Sequence, residues 1–285
     1  KNTSNICSFF LEKSLRLAKY VALVFPKFLL NTPEFSTTRA ELAQKSVDAI
    51  LDFGEKGFPG ILVETIAIFI NNLAAPANTK VFSLTHRLHL TQPQAYIFDP
   101  ELPYWIIYRN QLFDSVCRKL DFDVFEVFRD RQLTNKLLSS SGELRVLKSR
   151  NLSDDGKEIL DIPGYDSYIS YAAAKPLSVF QYLDAPNVYI TPNMTYKPRM
   201  MKKPPHCVVN GSLAILIPKG GIVPTEKQLA YFSSEEYRAF YQIARNFQTR
   251  SLNVDACSVF FYGLLRDEAK PAPEKFDTSV QLSFL

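Results

Sequence analysis

Three features of the sequence predict an α/β fold with a largely parallel sheet over residues 1–110. Helical and strand-like stretches alternate from the start of the chain. Short apolar runs of strand length, 20–25 and 63–70, have the look of strands covered on both faces. Between them, 47–53 alternates, with Val47, Ala49, Leu51 and Phe53 set against Asp48 and Asp52. The turn that follows, Gly54 to Gly60, joins two of these strands into a hairpin, which adds an antiparallel edge to the sheet.

Residues 4–19 form an amphipathic helix: Phe9, Phe10, Leu11, Leu15, Leu17 and Ala18 oppose Glu12, Lys13, Arg16 and Lys19. The strand 20–25 is ended by Pro26. Thr32 suits an N-cap, Pro33 the first turn and Glu34 the positive helix end, so a helix runs from there to about Lys45. Phe58 sits at the tip of the glycine-rich turn, flanked by Gly57 and Pro59, and should face outward. A boundary rich in Asn, Ala and Pro covers 71–78. Residues 80–108 have alternating strand character, with 94–98 as one strand, and a short helix follows over 108–119. The domain change is placed near residue 110.

The second part, 111–285, is expected to be a mixed α/β domain. Strands are predicted over 122–128, 144–152, 187–191 and 207–217, with a turn at 153–156 and a tight turn at Asn210-Gly211. Ser233 or Ser234, followed by two glutamates, starts a helix that reaches about Asn246. An apolar segment covers 254–263, and the tail from Asp267 should be loosely ordered.

The 285-residue chain has a net charge of +4 and 46% apolar residues, ordinary values for a globular protein of one or two domains. That charge does not by itself select nucleic acid, so local patches must decide. Cys7, Cys117, Cys207 and Cys257 form no C-x-x-C pair, which argues against structural zinc and for a reduced, cytoplasmic protein. No apolar run is long enough to span a membrane. The chain starts at Lys1 in the middle of a strand-and-helix pattern, which suggests a fragment or one part of a split protein.

Four segments, taken together, resemble the rear half of an adenine-N6 DNA methyltransferase. They are 21–26 (VALVFP), 35–42 with Arg39, 50–55 ending in Gly-Glu, and 58–70 with its Phe-Pro-Gly and Val-Glu-Thr. The family is the gamma class of type II restriction-modification systems. The resemblance implies that 1–110 is the rear of a Rossmann-like methyltransferase sheet with an edge β-hairpin. It implies a target recognition domain over 111–285. It further implies double-stranded DNA as partner, S-adenosylmethionine as cofactor of the complete enzyme, a cognate restriction endonuclease and a bacterial cytoplasmic setting. By the same resemblance, Phe58 stacks on a target adenine rotated out of the duplex.

Two hallmarks of that family are missing. We find no glycine-rich cofactor loop and no Asn/Asp-Pro-Pro-Tyr/Phe motif. Thr191-Pro-Asn-Met and Lys203-Pro-Pro-His206 lie in the wrong half to serve. The missing N-terminal methyltransferase portion would then be a partner of this chain.

Candidate DNA contacts come from three basic stretches: Lys148 and Arg150 beside Arg145; Lys197, Arg199, Lys202 and Lys203; and Arg245, Gln248 and Arg250 beside Thr249. Arg and Lys can contact phosphates by charge, and Arg, Lys and Gln can read base edges. A solvated surface is the bland alternative. Segments 145–152 and 229–246 resemble parts of recognition domains in methyltransferases and in type I specificity subunits. Asp52, Glu55 and Glu64 are expected to solvate an edge strand or to bond within the hairpin, not to bind metal. His86 and His89 fall on opposite faces of a strand, and neither Cys7 nor Cys257 has a histidine nearby in sequence.

Two rival readings stay open: a non-catalytic DNA-specificity module related to type I subunits, and an unrelated α/β binding protein. Salt-dependent duplex binding separates the last from the others. With both cofactor motifs missing, the purified 285-residue chain should transfer no methyl group to DNA and bind S-adenosylmethionine feebly or not at all. Incorporation of tritiated methyl groups into DNA is the measurement, and any incorporation by the chain alone contradicts this reading.

Overall fold

The computed structural model describes residues 5–60, 62–248 and 253–267. In chain order the elements are α1 (Ile6–Leu17), β1 (Tyr20–Pro26), α2 (Ser36–Ala43), β2 (Ser46–Gly54), β3 (Thr65–Asn71), β4 (Asn78–Ser83) and β5 (Leu88–Pro93). They continue as α3 (Gln94–Ile97), α4 (Gln111–Lys119), β6 (Leu120–Asp121), β7 (Phe125–Phe128), β8 (Leu144–Leu147), β9 (Ser167–Ile169) and α5 (Tyr171–Ala174). Then follow β10 (Tyr189–Pro192), β11 (Met201–Lys202), β12 (Cys207–Val209), β13 (Leu213–Pro218), α6 (Glu226–Tyr231), α7 (Glu235–Ala244) and β14 (Leu264–Leu265). The described residues divide into two compact units, one of 5–118 with 242–248 and one of 119–241 with 253–267. Helices alternate with mixed sheets, so the class is α/β.

The first unit is built on a five-stranded sheet of order β1-β3-β2-β4-β5. β3 runs antiparallel to both β1 and β2, and β4 runs parallel to β2. Hence β1, β2 and β4 share one direction, and their carboxyl ends share one rim. Register aligns that rim: Thr65 pairs with Pro26 on one side and Gly54 on the other, and Asp52 pairs with Ser83.

β3 is therefore an interior strand, not the edge that the hairpin pattern suggests. Ile66, Ile68 and Ile70 are fully or almost fully buried, and an edge position would leave one row of their backbone groups unpaired. The run is not covered on both faces throughout, because Phe69 is 41% exposed. Val63 is exposed and lies in the loop before the strand. The alternation in β2 also inverts. Irregular pairing at Val47/Ala49 and Asp52/Gly54 shifts the strand, so Ile50 and Asp52 face the interior while Leu51 and Phe53 are half-buried.

Local chemistry explains the other departures. Residues 94–98 form a helical turn where a strand was expected. The buried Gln94 side chain accepts from the Val47 N–H at 2.8 Å and donates to the Lys45 carbonyl at 2.8 Å, tying this turn to the start of β2. The Thr32 hydroxyl does not cap a helix but donates to the Phe28 carbonyl at 3.1 Å, and a 3₁₀ turn (Pro33–Phe35) precedes α2. Arg39 is buried in α2 and donates to the carbonyls of Leu29 and Thr32 at 2.7 and 2.8 Å, which fixes the chain leaving β1.

The second unit carries a four-stranded sheet, β11-β10-β13-β7, a three-stranded sheet, β12-β8-β9, and the short pair β14-β6. Asn210-Gly211 is not a hairpin turn. It passes the chain from β12 in one sheet to β13 in another. Leu144, Val146, Leu147, Ile169, Val208, Val209, Leu213 and Ile215 form the core between those sheets. A second cluster packs Phe232, Tyr237, Phe240 and Tyr262 in edge and tilted ring contacts. Ser234 caps α7 by accepting from the Tyr237 N–H at 3.1 Å. Among the described residues no helix is long and apolar enough to cross a membrane.

Interior placement of β3 has a measurable consequence. Ile68→Ala, at a fully buried position, should destabilise the chain by about 2–5 kcal/mol in urea unfolding. Phe69→Ala, on the same strand but exposed, should cost clearly less. Equal losses would mean that β3 is not held as described.

Candidate functional site

In an open α/β sheet, ligands bind outside the carboxyl ends of the strands. Here that rim carries Lys27 just after β1, Asp52 near the end of β2 and Ser83 at the end of β4. Asp52 and Lys27 are each 1% exposed and form an ion pair, Nζ to Oδ2, at 2.6 Å. The hydroxyl of the buried Tyr108 donates to the same oxygen at 2.5 Å. The second oxygen, Oδ1, accepts the Gly54 N–H at 2.9 Å. Three hydrogen bonds satisfy the carboxylate, which is what a buried charge requires.

Tyr108 is pushed well above the usual tyrosine range, first by burial and then by the Asp52 charge and hydrogen bond, so it stays a hydrogen-bond donor. His86 lies beside it, with ring centroids 6.3 Å apart in an edge contact, and 4.5 Å from the Phe247 ring. The His86 pKa is lowered, first by partial burial and then by the Lys27 charge, against an opposing effect of Asp52. Its imidazole therefore gives up its proton more readily than a free histidine.

Phe58 lies in the loop 55–64 that leaves this rim and is 46% exposed, as the turn pattern predicts. Two glycines shape its path. Gly54 has a left-handed φ of +56°, and a Cβ there would collide with the Thr85 hydroxyl. A Cβ on Gly57 would collide with the hydroxyl of the buried Thr65. Leu62 and Val63 of the same loop are also exposed.

The expectation that Asp52 solvates an edge strand is corrected by its burial, although its bond to Gly54 is a bond within the turn. Sequence reading passed over Lys27, Tyr108 and Phe247. The available signals were weak: a lysine just after the strand-ending Pro26, and an aspartate at alternate spacing in a strand. Phe247 follows Asn246, and both take left-handed backbone, with φ of 54° and 51°. Asn246 holds that bend by accepting from the Ile107 N–H at 2.8 Å and donating to the Trp105 carbonyl at 2.7 Å.

The candidate DNA contacts separate into two groups. Arg150, Lys197 and Lys202 are exposed. Lys148 is half-buried, and it and Arg150 both lie over the Tyr165 ring, at 3.9 and 4.6 Å. Lys197 pairs with Asp154 at 2.5 Å, both well exposed, a pair that phosphate could displace at little cost. Arg199, Lys203, Arg245 and Gln248 are buried, which corrects their assignment to a DNA-facing surface. Arg199 donates to the carbonyls of Lys197, Ser149 and Leu152 at 2.9, 3.2 and 3.2 Å. Lys203 donates to those of Leu183 and Pro204 at 2.7 and 2.9 Å. Gln248 bonds Asn31 and, with Arg245, belongs to the first unit. Arg250 lies outside the described residues. Arg145, in contrast, pairs with Asp161 and Asp166 at 2.6 and 3.0 Å.

Among the described residues no group of three or more His, Cys, Asp or Glu could hold a metal ion. His89 stacks on Phe82, with centroids 4.4 Å apart, away from the ring contacts of His86. At the rim the close-packed glycines, Gly54 and Gly57, face threonine side chains of the protein itself.

Burial of Arg199 gives a test. Arg199→Ala should lower stability by about 1–3 kcal/mol, because it leaves buried carbonyls without donors. Lys202→Ala should change it by no more than about 0.5 kcal/mol. Paired thermal and urea melts measure both.

No protein-family model matches the chain, and no curated protein matches it. Among solved structures, the type IIG restriction endonuclease BpuSI is similar over 90% of this chain, at 9% identity and a TM-score of 0.36. The chain spans 41% of the length of that structure. A likeness at that level carries no weight for function, which rests on the residues above.

Proposed function

We propose that the chain is the C-terminal portion of a site-specific adenine-N6 DNA methyltransferase of a restriction-modification system. In this reading it recognises duplex DNA and presents Phe58 to an adenine extruded from the helix. Duplex DNA, an upstream portion carrying the cofactor motifs and a cognate endonuclease are its partners. S-adenosylmethionine supplies the methyl group in the complete enzyme, held by the upstream portion.

The observation that carries the reading is the setting of Phe58. An aromatic ring stands exposed on a glycine-shaped loop at the carboxyl rim of parallel strands, where an α/β sheet meets its ligands. A ring kept for core packing would be buried. The four segments of the resemblance form β1, α2, β2, and then the Phe58 loop with β3, a succession that supports this reading. Extruding a base costs a few kcal/mol of lost stacking and pairing. Stacking on an aromatic side chain returns about 1–3 kcal/mol, by analogy with single-strand binding proteins. Phe58 thus offsets part of the extrusion cost and holds the adenine flat. Arg150, Lys197 and Lys202 are the exposed cations suited to phosphates.

Two measurements test this. Duplex binding by the chain should weaken with salt, by a slope of roughly −0.9 per phosphate neutralised. Replacing Arg150, Lys197 and Lys202 together should flatten that slope. No binding at low salt, or an unchanged slope, removes this surface from the reading. In the complete enzyme, Phe58→Ala should leave melting nearly unchanged and lower the signal of an extruded fluorescent adenine analogue. A large melting shift with undiminished extrusion would make Phe58 a packing residue.

A further inference from the structure

We infer that Lys27, Asp52 and Tyr108 are positioning residues for the Phe58 loop: together they fix both ends of the segment that presents the ring. The inference rests on the reading of Phe58 as the base-stacking residue. It concerns how that ring is held, not whether DNA is the ligand.

The geometry is specific to the loop. Residues 55–60 leave β2 at Gly54, and Leu62, Val63 and Glu64 lead into the sheet at Thr65. At the departing end, Asp52 Oδ1 accepts the Gly54 N–H at 2.9 Å and so sets the left-handed turn that aims the loop. At the returning end, the Lys27 N–H donates to the Glu64 carbonyl at 2.8 Å. Lys27 therefore touches both ends: its main chain holds Glu64 and its Nζ holds Asp52 at 2.6 Å. In the middle, Gly57 lies against the Thr65 hydroxyl so closely that no side chain fits between. Tyr108 completes the device through its bond to Asp52 Oδ2 at 2.5 Å. Lys27, Asp52, Glu64, Thr65 and Tyr108 are all buried, whereas the ring that the loop carries is exposed. A ring that must meet an extruded base needs such support, because a stacking site loses its effect when its geometry drifts by fractions of an ångström.

A buried ion pair is a poor device for stability alone, since apolar replacements of similar volume are often as stable or more so. Its use here is directional. It fixes where a flexible segment starts and stops, which apolar packing does less sharply.

The test compares Tyr108→Phe, Asp52→Asn and Lys27→Met with Phe58→Ala in the complete enzyme. Three signals are read: melting temperature, amide hydrogen exchange across residues 53–65, and fluorescence of an extruded adenine analogue. Tyr108→Phe, which removes one donor from the buried carboxylate, should lower the melting temperature modestly, speed exchange in this segment by about tenfold, and lower the extrusion signal severalfold. Asp52→Asn should do the same more strongly, and if it does not fold, Tyr108→Phe carries the test. Unchanged exchange in the loop overturns the inference. So does exchange that rises equally across the whole sheet, because the network would then hold the fold and not the loop. Faster loop exchange with full extrusion also overturns it, since the ring would not need the support. If the parent enzyme shows no extrusion, the reading of Phe58 fails. Loop-specific exchange then still decides whether these three residues position the segment.

Discussion

The buried carboxylate of Asp52 is the constraint on which the first unit turns. A charge withdrawn from water must be matched, and the match comes from three separate stretches of chain: Lys27 after β1, Gly54 at the end of β2, and Tyr108 beyond β5. Each partner brings its own segment to the rim. Satisfying one aspartate thus ties the segment after β1 to the end of β2 and holds Tyr108 against both. Phe247 and His86 pack on Tyr108 as a consequence.

That network gives the rim its character. The interior is polar and closed, and the loop 55–64 that rises from it is exposed and apolar at Phe58, Leu62 and Val63. The closed polar layer beneath explains how so exposed a segment keeps a defined path.

Basic residues in the second unit show how composition misleads. The run from Lys197 to Lys203 looks like one patch, yet it alternates in role. Arg199 and Lys203 turn inward and satisfy carbonyls that no strand partner reaches, while Lys197 and Lys202 face solvent. An inward arginine serves as a fork of donors for irregular backbone, and its charge is spent inside the fold. Only the outward cations remain to steer an anionic partner.

The α/β class, the succession of β1, α2, β2 and β3, and the outward Phe58 were legible in the sequence alone. Each rests on local chemistry: helical and strand periodicity, proline at strand ends, and glycine where the backbone turns. Ser234 as a helix cap belongs to the same kind. Tertiary structure decided what depends on distant partners. β3 is an interior strand because β1 pairs with its far side, which the hairpin pattern cannot reveal. Asp52 faces inward because pairing irregularities in β2 shift the alternation, and because Lys27 and Tyr108 await it. Gln94 folds into a turn because its side chain bonds β2 and the end of α2. Arg199, Lys203, Arg245 and Gln248 read as surface groups because charge and polarity suggest water. Arg199 and Lys203 are buried against backbone carbonyls and Gln248 against the Asn31 side chain, partners that come within reach only once the chain has its three-dimensional form.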